Sequence, residues 1–470
     1  MHTDHRAVRR VLKALLALFL VLALATALLP YWFPPRLSPQ QQSLDAAALY
    51  GDAPCQDRVL LVNDPQQSLG LRLQLLAGAQ DTLDIAYYGM SMDGTTRQFL
   101  AGVLAAADRG VQVRLLVDGF SGGLTHTHPH WARAMGAHPN IQLRLYNPVR
   151  PWAPWSINGR MHDKYILADG RLLLLGGRNI GDRYFSSPEY SGALSLDRDV
   201  LVYSTASRPW APGSAAAQVL DYMNSIWNGS AVRSPFETST RRADTCRQQL
   251  RLLAGTLPAD AGIPWADVTL PAARVTLLHN DPGPGPKAPA VGHAIQQALA
   301  GAQRSVVLQS PYIVPHGQLD RILEQLDRPQ LDCTLLTNSL GSTPNLPAFS
   351  SYLPARKALA GHRPRLMEYQ GPHSLHGKAL LIDQCLCLIG SYNLDPRSSH
   401  IDTELMLAID SPALAGQLGA SLDHSLEASL QVGPDGAYLP GPVSAAVVSG
   451  PKRALVRVLG VLLLPFRCLV

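Results

Sequence analysis

Lysine is scarce in this chain: of the 40 lysines and arginines among its 470 residues, six are lysines. The arginines are scattered along the chain, so the sequence does not predict the basic groove that a nucleic-acid-binding protein needs. We therefore expect no nucleic acid partner. The net charge is only +5, which permits an anionic membrane surface as a partner without requiring one.

Cysteine is sparse as well, and its spacing argues against a structural zinc site. None of the six cysteines forms a C-x-x-C pair. A disulfide such as Cys55 with Cys246 stays an open alternative for a chain outside the cytoplasm. The tract of His126, His128 and His130 has side chains that bind metals, but the segment reads as a loop and we expect no metal there.

Charge is absent from a stretch near the N-terminus. Four basic residues within positions 6–13 precede the uncharged run 14–33, which is just long enough to cross a bilayer. Tyr31 and Trp32 stand where an interfacial aromatic belt would lie. We predict a single membrane anchor with its basic side in the cytoplasm and the body outside it, in a periplasm or on the outer face of a bacterial cell. The alternative is a cleaved signal peptide ending near the small residues 25–27, but the apolar run continues past that site.

Two segments repeat one pattern of chemically active residues. Residues 161–179 read MHDKYILADGRLLLLGGRN, and residues 375–404 read LHGKALLIDQCLCLIGSYNLDPRSSHIDTE. One such H-x-K-x4-D pattern would be a weak motif. Two copies, each followed by Gly and Asn, are far less likely to arise by chance. The first copy comprises His162, Lys164, Asp169, Gly177 and Asn179, and the second comprises His376, Lys378, Asp383, Ser391 and Asn393.

The spacing within each copy indicates phosphate chemistry. Both runs are rich in apolar residues and bounded by turn signals, so we predict strands. Side chains two apart on a strand share a face, which places His162 beside Lys164 and His376 beside Lys378. A neutral imidazole can attack phosphorus, a protonated one can protonate a leaving oxygen, and ammonium and amide groups stabilise phosphate oxygens.

The motif aspartates, Asp169 and Asp383, belong to the candidate catalytic set in a supporting role. Each lies an odd number of residues from its lysine and at the predicted strand end. Asp169-Gly170 is also a hairpin signal leading into the next apolar run.

The chain repeats itself outside the motifs too. LL-x-NDP occurs at residues 60–65 and 277–282, and LAGAQ occurs at 76–80 and 299–303. Each copy continues as alternating strand-like and helix-like segments, which predicts a duplicated α/β domain with a mixed or mainly parallel sheet. Because each half holds one His-Lys pair, we expect a single active site at the interface. The predicted units are an anchor at 1–36, a tether at 37–57, a first domain at 58–206, a linker with a helix at 207–271, a second domain at 272–440 and a basic, apolar tail at 441–470.

The two motifs resemble the paired HKD motifs of the phospholipase D superfamily. With GGRNIGDRYF, SPYIVP and GSYNLDPRSSHIDTE, they are similar to its minor bacterial cardiolipin synthase branch. The resemblance implies two phospholipase D-type α/β sandwich domains and a membrane-bound phosphatidyltransferase that works through a phosphohistidine without a cofactor. It also implies phospholipid substrates, with cardiolipin formed from phosphatidylglycerol and a second phospholipid. The alternatives are a phospholipid hydrolase or a nuclease of the same superfamily.

The resemblance also implies the roles of particular residues. Each histidine should be held by an acid, for which Glu404 is the candidate in the second half. Asp197 and Asp199 compete in the first half, and we favour Asp197. We assign the nucleophile to His162 by analogy. The expected phosphate-binding residues, besides the lysines, are Asn179, Asn393, Ser391 and Gly177.

Four other features carry expectations. Trp152 and Trp155 either form a lip that dips into lipid or pack an ordinary loop. Tyr87 and Tyr88 are expected in the core and at the rim rather than in the site, and Phe349 stands where the family pattern suggests a histidine. The tail, 441–470, is expected to lie on the bilayer, with packing against the body as the alternative.

Overall fold

A computed structural model describes residues 5–124, 127–150 and 152–469. Each half is built on a mixed β-sheet. The strands of the first half are β1 (Asp57–Val62), β2 (Thr82–Tyr87), β3 (Gln112–Asp118), β4 (Ile141–Tyr146), β5 (Lys164–Ala168), β6 (Leu172–Gly176), β7 (Ser195–Leu196), β8 (Asp199–Ser204), β9 (Val232–Arg233) and β10 (Leu270–Pro271). Those of the second half are β11 (Arg274–His279), β12 (Ser305–Gln309), β13 (Asp332–Asn338), β14 (Arg365–Tyr369), β15 (Ser374–Leu375), β16 (Lys378–Ile382), β17 (Leu386–Gly390), β18 (Leu405–Asp410) and β19 (Ser429–Gln431).

Helices precede, connect and follow these strands. Before and within the first half they are α1 (His5–Trp32), α2 (Pro39–Gln42), α3 (Pro65–Gly78), α4 (Gly94–Asp108), α5 (Pro129–Gly136), α6 (Asp182–Phe185), α7 (Ala215–Trp227), α8 (Arg241–Ala254) and α9 (Trp265–Val268). The remainder are α10 (Ala290–Ala300), α11 (Gly317–Leu326), α12 (Leu346–Tyr352), α13 (Arg356–Ala360), α14 (Pro396–His400), α15 (Pro412–Glu427) and α16 (Gly450–Leu462). Short 3-10 turns lie at Ala47–Leu49, Pro154–Ile157, Leu353–Ala355 and Leu464–Leu469.

The two sheets share one strand order, which confirms the predicted duplication. The first runs β10-β1-β8-β6-β5-β2-β3-β4-β9 and the second β11-β18-β17-β16-β12-β13-β14-β19. In both, three neighbouring strands are parallel, β2-β3-β4 in the first and β12-β13-β14 in the second, and the others pair antiparallel, so the sheets are mixed. The segment between the halves contributes β9 and β10 to the first sheet.

The sheets face each other across a shared apolar core. Buried side chains from both sheets, such as Leu175 and Val200 of the first and Ile389 and Leu407 of the second, belong to one cluster together with α7 and α15. The outer face of the first sheet packs against α3 and α4, and that of the second against α10 and α11. The result is the predicted pair of α/β layers with one interface between the halves.

Helix α1 projects from this body. Its segment Val8–Trp32 is long and apolar enough to cross a membrane, and none of its most apolar window is buried. The C-terminal end of α1 contacts the turn Pro154–Ile157, α14 and the turn Leu464–Leu469. There the ring of Tyr31 lies edge-on to His400, with 6.3 Å between ring centroids.

The C-terminal helix α16 packs on the body with one of its faces. Val456 is fully buried against the body, where α16 packs on α12. Val458, Val461 and Leu462 stay exposed on the same helix. One face is therefore packed and another presents apolar side chains to the surroundings.

Candidate active site

The two His-Lys pairs lie at equivalent places in the two sheets. Lys164 is the first residue of β5 and Lys378 the first of β16, and these strands hold the same position in the strand order. His162 and His376 stand two residues earlier. Lys378 Nζ lies 3.0 Å from His376 Nδ1, and Lys164 Nζ donates a hydrogen bond to the carbonyl of His162. Both lysines are almost fully buried.

Each histidine is held by an acid from the opposite half. His162 Nδ1 lies 3.0 Å from Glu404 Oε1, and His376 Nδ1 lies 2.5 Å from Asp197 Oδ2. Sequence analysis named both acids but did not reveal this exchange. With its Nδ1 engaged by a carboxylate, each imidazole keeps its Nε2 for chemistry.

Backbone pairing between the halves enforces the exchange. β7 pairs in parallel with β15, and His376 N donates to Leu196 O at 2.6 Å. On the other side, His162 N donates to Thr403 Oγ1 at 3.0 Å, and Thr403 N donates to Arg160 O at 2.9 Å. Each histidine thus sits beside the backbone that carries the other half's acid.

The structure also separates the two competing aspartates. Asp199, the first residue of β8, accepts hydrogen bonds at Oδ2 from Ser68, Arg72 and Arg178 and is fully buried. Asp197 lies in the break between β7 and β8 and bonds His376. The choice of Asp197 therefore agrees with the geometry, and Asp199 forms an internal ion cluster instead.

Burial disfavours the protonated forms of the bases in the site. It lowers the pKa of Lys164 to about 7 and that of Lys378 to about 8. It also lowers the pKa of His376 to about 3, aided by Lys378, and holds the pKa of His162 well below its ordinary value. An arriving phosphodiester anion favours the charged form of each of these groups, so substrate binding promotes protonation of the site.

The two acids differ electrostatically. Burial raises the pKa of Glu404 to about 8. Burial opposes ionisation of Asp197 too, but Lys378, His376 and Arg178 outweigh it and leave the pKa of Asp197 below its ordinary value. The partner of His376 is thus firmly ionised while the partner of His162 is easily protonated, so the two histidines are not equivalent.

Ser391 and Gly177 occupy places other than the expected phosphate contacts. Ser391 is 1% exposed, and its hydroxyl donates to Glu404 Oε2. At the equivalent Gly177, an added Cβ would collide with the carboxylate of Asp197. Both positions therefore support an acid, one by donating a hydrogen bond and the other by leaving space.

The two motif asparagines keep unpaired polar atoms. Asn179 Nδ2 donates to the Tyr184 hydroxyl at 3.1 Å, while Oδ1 of Asn179 and Oδ1 of Asn393 are buried without a hydrogen-bond partner among the described residues. A half-turn of either amide would present its NH2 group at the same place. An unpaired buried amide is costly, so these side chains suit a ligand that supplies the missing bond.

Asp169 and Asp383 lie outside the site. Each follows the far end of its motif strand, five residues beyond the motif lysine, which is roughly 16 Å by strand rise. Asp169 accepts hydrogen bonds from the backbone of Gln80, Asp81 and Thr82, at 2.8 to 2.9 Å. Asp383 binds the backbone of residues 303–305 in the same way. Their positive φ angles, 50° and 52°, also form the hairpin turns. A catalytic role is therefore corrected to a structural one.

Two tyrosines belong to the site although sequence analysis assigned neither. The ring of Tyr88 stands edge-on to His162, with 4.9 Å between centroids, and Lys164 Nζ lies 5.0 Å from its centroid. Tyr184 stands edge-on to His376 at 5.5 Å. The expectation for Tyr87 agrees with the structure, since it is buried against Phe99. The sequence could have indicated the role of Tyr88, because neighbouring residues face opposite sides of a sheet and Tyr87 faces the core.

The remaining expectations concern metals, cysteines and Phe349. Within residues 5–124, 127–150 and 152–469 no group of three His, Cys, Asp or Glu could hold a metal ion; His126 lies outside these ranges. All six cysteines are free, so the disulfide left open is not formed. Phe349 packs against Tyr352 in the apolar cluster on the outer face of the second sheet, with 5.3 Å between ring centroids.

This arrangement defines an enzyme acting on phosphate esters, with two buried histidines, two lysines and two exchanged acids in one site. A family described as "Cardiolipin synthase, PLD-like domain" matches residues 73–227 and 295–426. The chain belongs to that family, and it is an enzyme of the phospholipase D superfamily, of the phosphatidyltransferase or phosphodiesterase type. With helix α1, this kinship makes it a membrane-associated protein.

Individual similar proteins are consistent with this family assignment. Cardiolipin synthase C of Escherichia coli is 30% identical over 73% of this chain and 79% of its own length. Cardiolipin synthase A of Pseudomonas entomophila is 24% identical over 84% of this chain and 74% of its own. The crystal structure of a phosphatidylserine synthase from Haemophilus influenzae shares the fold, with a TM-score of 0.63 and 14% identity, over 90% of this chain and 98% of that one.

Proposed function

We propose that this protein makes cardiolipin by transferring a phosphatidyl group to phosphatidylglycerol from a second phospholipid, through a phosphohistidine. The exchange of Glu404 and Asp197 between the halves carries the proposal, because it aims two neutral imidazoles into one site between two buried lysines. One imidazole can act as the nucleophile while the other transfers a proton.

The reaction then balances in two steps. Nε2 of one histidine, assigned to His162 by the family resemblance, attacks phosphorus as the ester bond to the leaving alcohol breaks. His376, protonated once the anionic substrate is bound, gives its proton to the leaving oxygen. The neutral His376 next takes the proton of an incoming lipid hydroxyl, whose oxygen attacks phosphorus and breaks the phosphorus–nitrogen bond. Lys164 and Lys378 stabilise the phosphate oxygens throughout.

An apolar cavity beside the site supports a lipid substrate. The cavity has a volume of about 550 Å³ and lies between the end of α1 and loops of both halves. Its walls include Leu29, Pro30 and Phe33 together with Gly159 and Ile401. The segments 159–162 and 401–404 lead directly from these walls to His162 and Glu404. An acyl chain held here would lie against the membrane helix with its phosphate near the histidines. We call this the acyl cavity.

Filling the acyl cavity is expected to discriminate against long chains. Gly285 lines the cavity, and a Cβ added there meets no atom within 4 Å, so Gly285→Trp fills space without a backbone clash. We expect turnover of dioleoyl-phosphatidylglycerol to fall by about tenfold while the short-chain dihexanoyl lipid is spared, since only the long chain loses binding energy. Initial rates on both lipids measure the ratio.

The matched control is Gly416→Trp on α15. Gly416 is exposed, and an added Cβ there also meets no atom within 4 Å, but it does not line the cavity. Both lipids should be turned over by this variant at the wild-type rate. An equal loss on the two lipids in Gly285→Trp would show that the cavity holds no acyl chain.

The product decides between transfer and hydrolysis. Lipid extracts of cells lacking cardiolipin synthase, expressing the wild-type chain or His376→Ala, can be compared by mass spectrometry. Cardiolipin that appears only with the intact histidine is the expected result. A rise in phosphatidic acid without cardiolipin would make water the acceptor and the protein a hydrolase, while unchanged lipids would refute a lipid substrate.

The membrane topology is part of the proposal. The basic residues at the N-terminal end of α1, among them Arg9, Arg10 and Lys13, favour a cytoplasmic N-terminus, with the catalytic body on the extracytoplasmic side. The exposed apolar face of α16 and the exposed ring of Trp152 support a second contact of the body with the bilayer.

A further inference from the structure

A second cavity, unrelated to the acyl cavity, lies where α1 ends. It has a volume of about 630 Å³ and shares no lining residue with the acyl cavity. The segment that leaves α1 forms one wall, α10 and α11 form others, and the end of α14 closes it. We call it the arginine cavity; its polar lining includes Arg36, His293, Gln318, Arg321 and His400.

The charge of this lining has one sign. No aspartate or glutamate lines the arginine cavity. Neither Arg36 nor Arg321 takes part in an ion pair with any described residue. Both arginines are exposed, and two arginines without a carboxylate partner at one cavity favour an anion there.

Buried polar atoms in the same wall lack partners. Gln318 is 3% exposed, and its Nε2 makes no hydrogen bond with any described residue. Three residues of the lining are only partly buried, but their buried atoms His293 Nε2, His400 Nδ1 and the Tyr31 hydroxyl also make no hydrogen bond with any described residue. Buried polar groups are normally satisfied, so a set of them in one cavity calls for a ligand rich in acceptor oxygens.

We propose that the arginine cavity binds the phosphate of an anionic phospholipid from the surrounding bilayer. Phosphate oxygens match guanidinium, amide and imidazole donors, and arginine can bind them in a bidentate manner. Tyr31 and Arg36 place the cavity at the end of the membrane-spanning segment, which is the level of lipid headgroups. This lipid phosphate is distinct from the one that reacts between His162 and His376, so the inference does not depend on the proposed reaction.

The number of retained lipids tests the proposal. Native mass spectrometry of the full-length chain in detergent would count dioleoyl-phosphatidylglycerol bound to the wild type and to the double variant Arg36→Gln, Arg321→Gln. We expect the variant to retain one lipid fewer than the wild type. Its affinity for that lipid should fall at least about tenfold, because charge-assisted hydrogen bonds are lost. The control variant Arg208→Gln, Arg241→Gln removes two exposed arginines that do not line the cavity and should match the wild type.

A second variant guards against indirect effects of charge. Gly317 lines the arginine cavity, and a Cβ added there meets no atom within 4 Å, so Gly317→Trp fills the cavity while leaving both arginines in place. It should lose the same single lipid. Unchanged lipid counts in both variants would overturn the proposal, as would equal retention of neutral phosphatidylcholine.

Two further outcomes are separable. If inorganic phosphate displaces phosphatidylglycerol at equal concentration, the cavity takes free phosphate and the lipid assignment fails. The count requires no turnover. A chain that binds the extra lipid but forms no cardiolipin would therefore refute the proposed reaction and leave this inference standing.

Discussion

Turnover is expected to fall by at least about a thousandfold when either His162 or His376 is replaced by alanine. The reason is that both imidazoles serve one site, since each is bonded to an acid of the opposite half. Losing the nucleophile removes the covalent route, and losing its partner removes the proton transfer that expels the alcohol. Initial rates of purified protein on phosphatidylglycerol vesicles measure the loss.

Two other histidines provide controls for this experiment. His138 is buried and its Nε2 lies 3.1 Å from Asp108 Oδ1, away from the site, and His424 is exposed. His424→Ala should be fully active, and His138→Ala should lose stability rather than chemistry. Substantial activity surviving in His162→Ala or His376→Ala would contradict a single shared site. An equal mixture of these two variants should stay inactive, because each chain builds its own site.

The second large effect concerns the aspartates that sequence alone left in competition. Asp197→Asn is expected to lower turnover by about a hundredfold to ten-thousandfold, because the amide cannot hold His376 in the tautomer that leaves Nε2 reactive. Its folding stability should change little by comparison. Asp199→Asn instead leaves Arg72 and Arg178 buried without their shared carboxylate, which should cost about 3–5 kcal/mol of unfolding free energy.

Comparing the two variants distinguishes a role in turnover from a role in stability. Urea denaturation measures stability, and initial rates at a temperature where both variants stay folded measure chemistry. The prediction is a crossed pattern, with Asp197→Asn folded and nearly inactive and Asp199→Asn active but less stable. A large stability loss in Asp197→Asn together with normal turnover of the folded fraction would reverse the roles given to the two residues.

Local patterns in the sequence were enough to predict the elements that carry the site. The runs after His162 and His376 form strands that begin at the motif lysines, and the repeated LL-x-NDP and LAGAQ segments correspond to equivalent parts of two sheets. These features depend on neighbours in sequence, so periodicity and turn signals suffice. The resemblance of the two motifs to paired HKD motifs also predicted the superfamily.

What could not be predicted depends on contacts between distant residues. His376 and its acid Asp197 are 179 positions apart, and no local rule says which half supplies the acid. Alternation places Asp197 and Asp199 on one face, but the break between β7 and β8 separates them. The hydrogen bond from the Ser391 hydroxyl to Glu404, which directly precedes β18, is another contact that no local pattern predicts.

The exchange of acids between the halves follows the same rule as contacts between two identical subunits related by two-fold symmetry. If residue i of one copy touches residue j of the other, two-fold symmetry requires the reverse contact as well, and His162 with Glu404 and His376 with Asp197 obey this rule. The two halves of the chain are thus related to each other as the two subunits of a symmetric homodimer would be. Joining the copies allows them to diverge, as Gly177 and Ser391 have, so that one histidine can specialise in attack and the other in proton transfer.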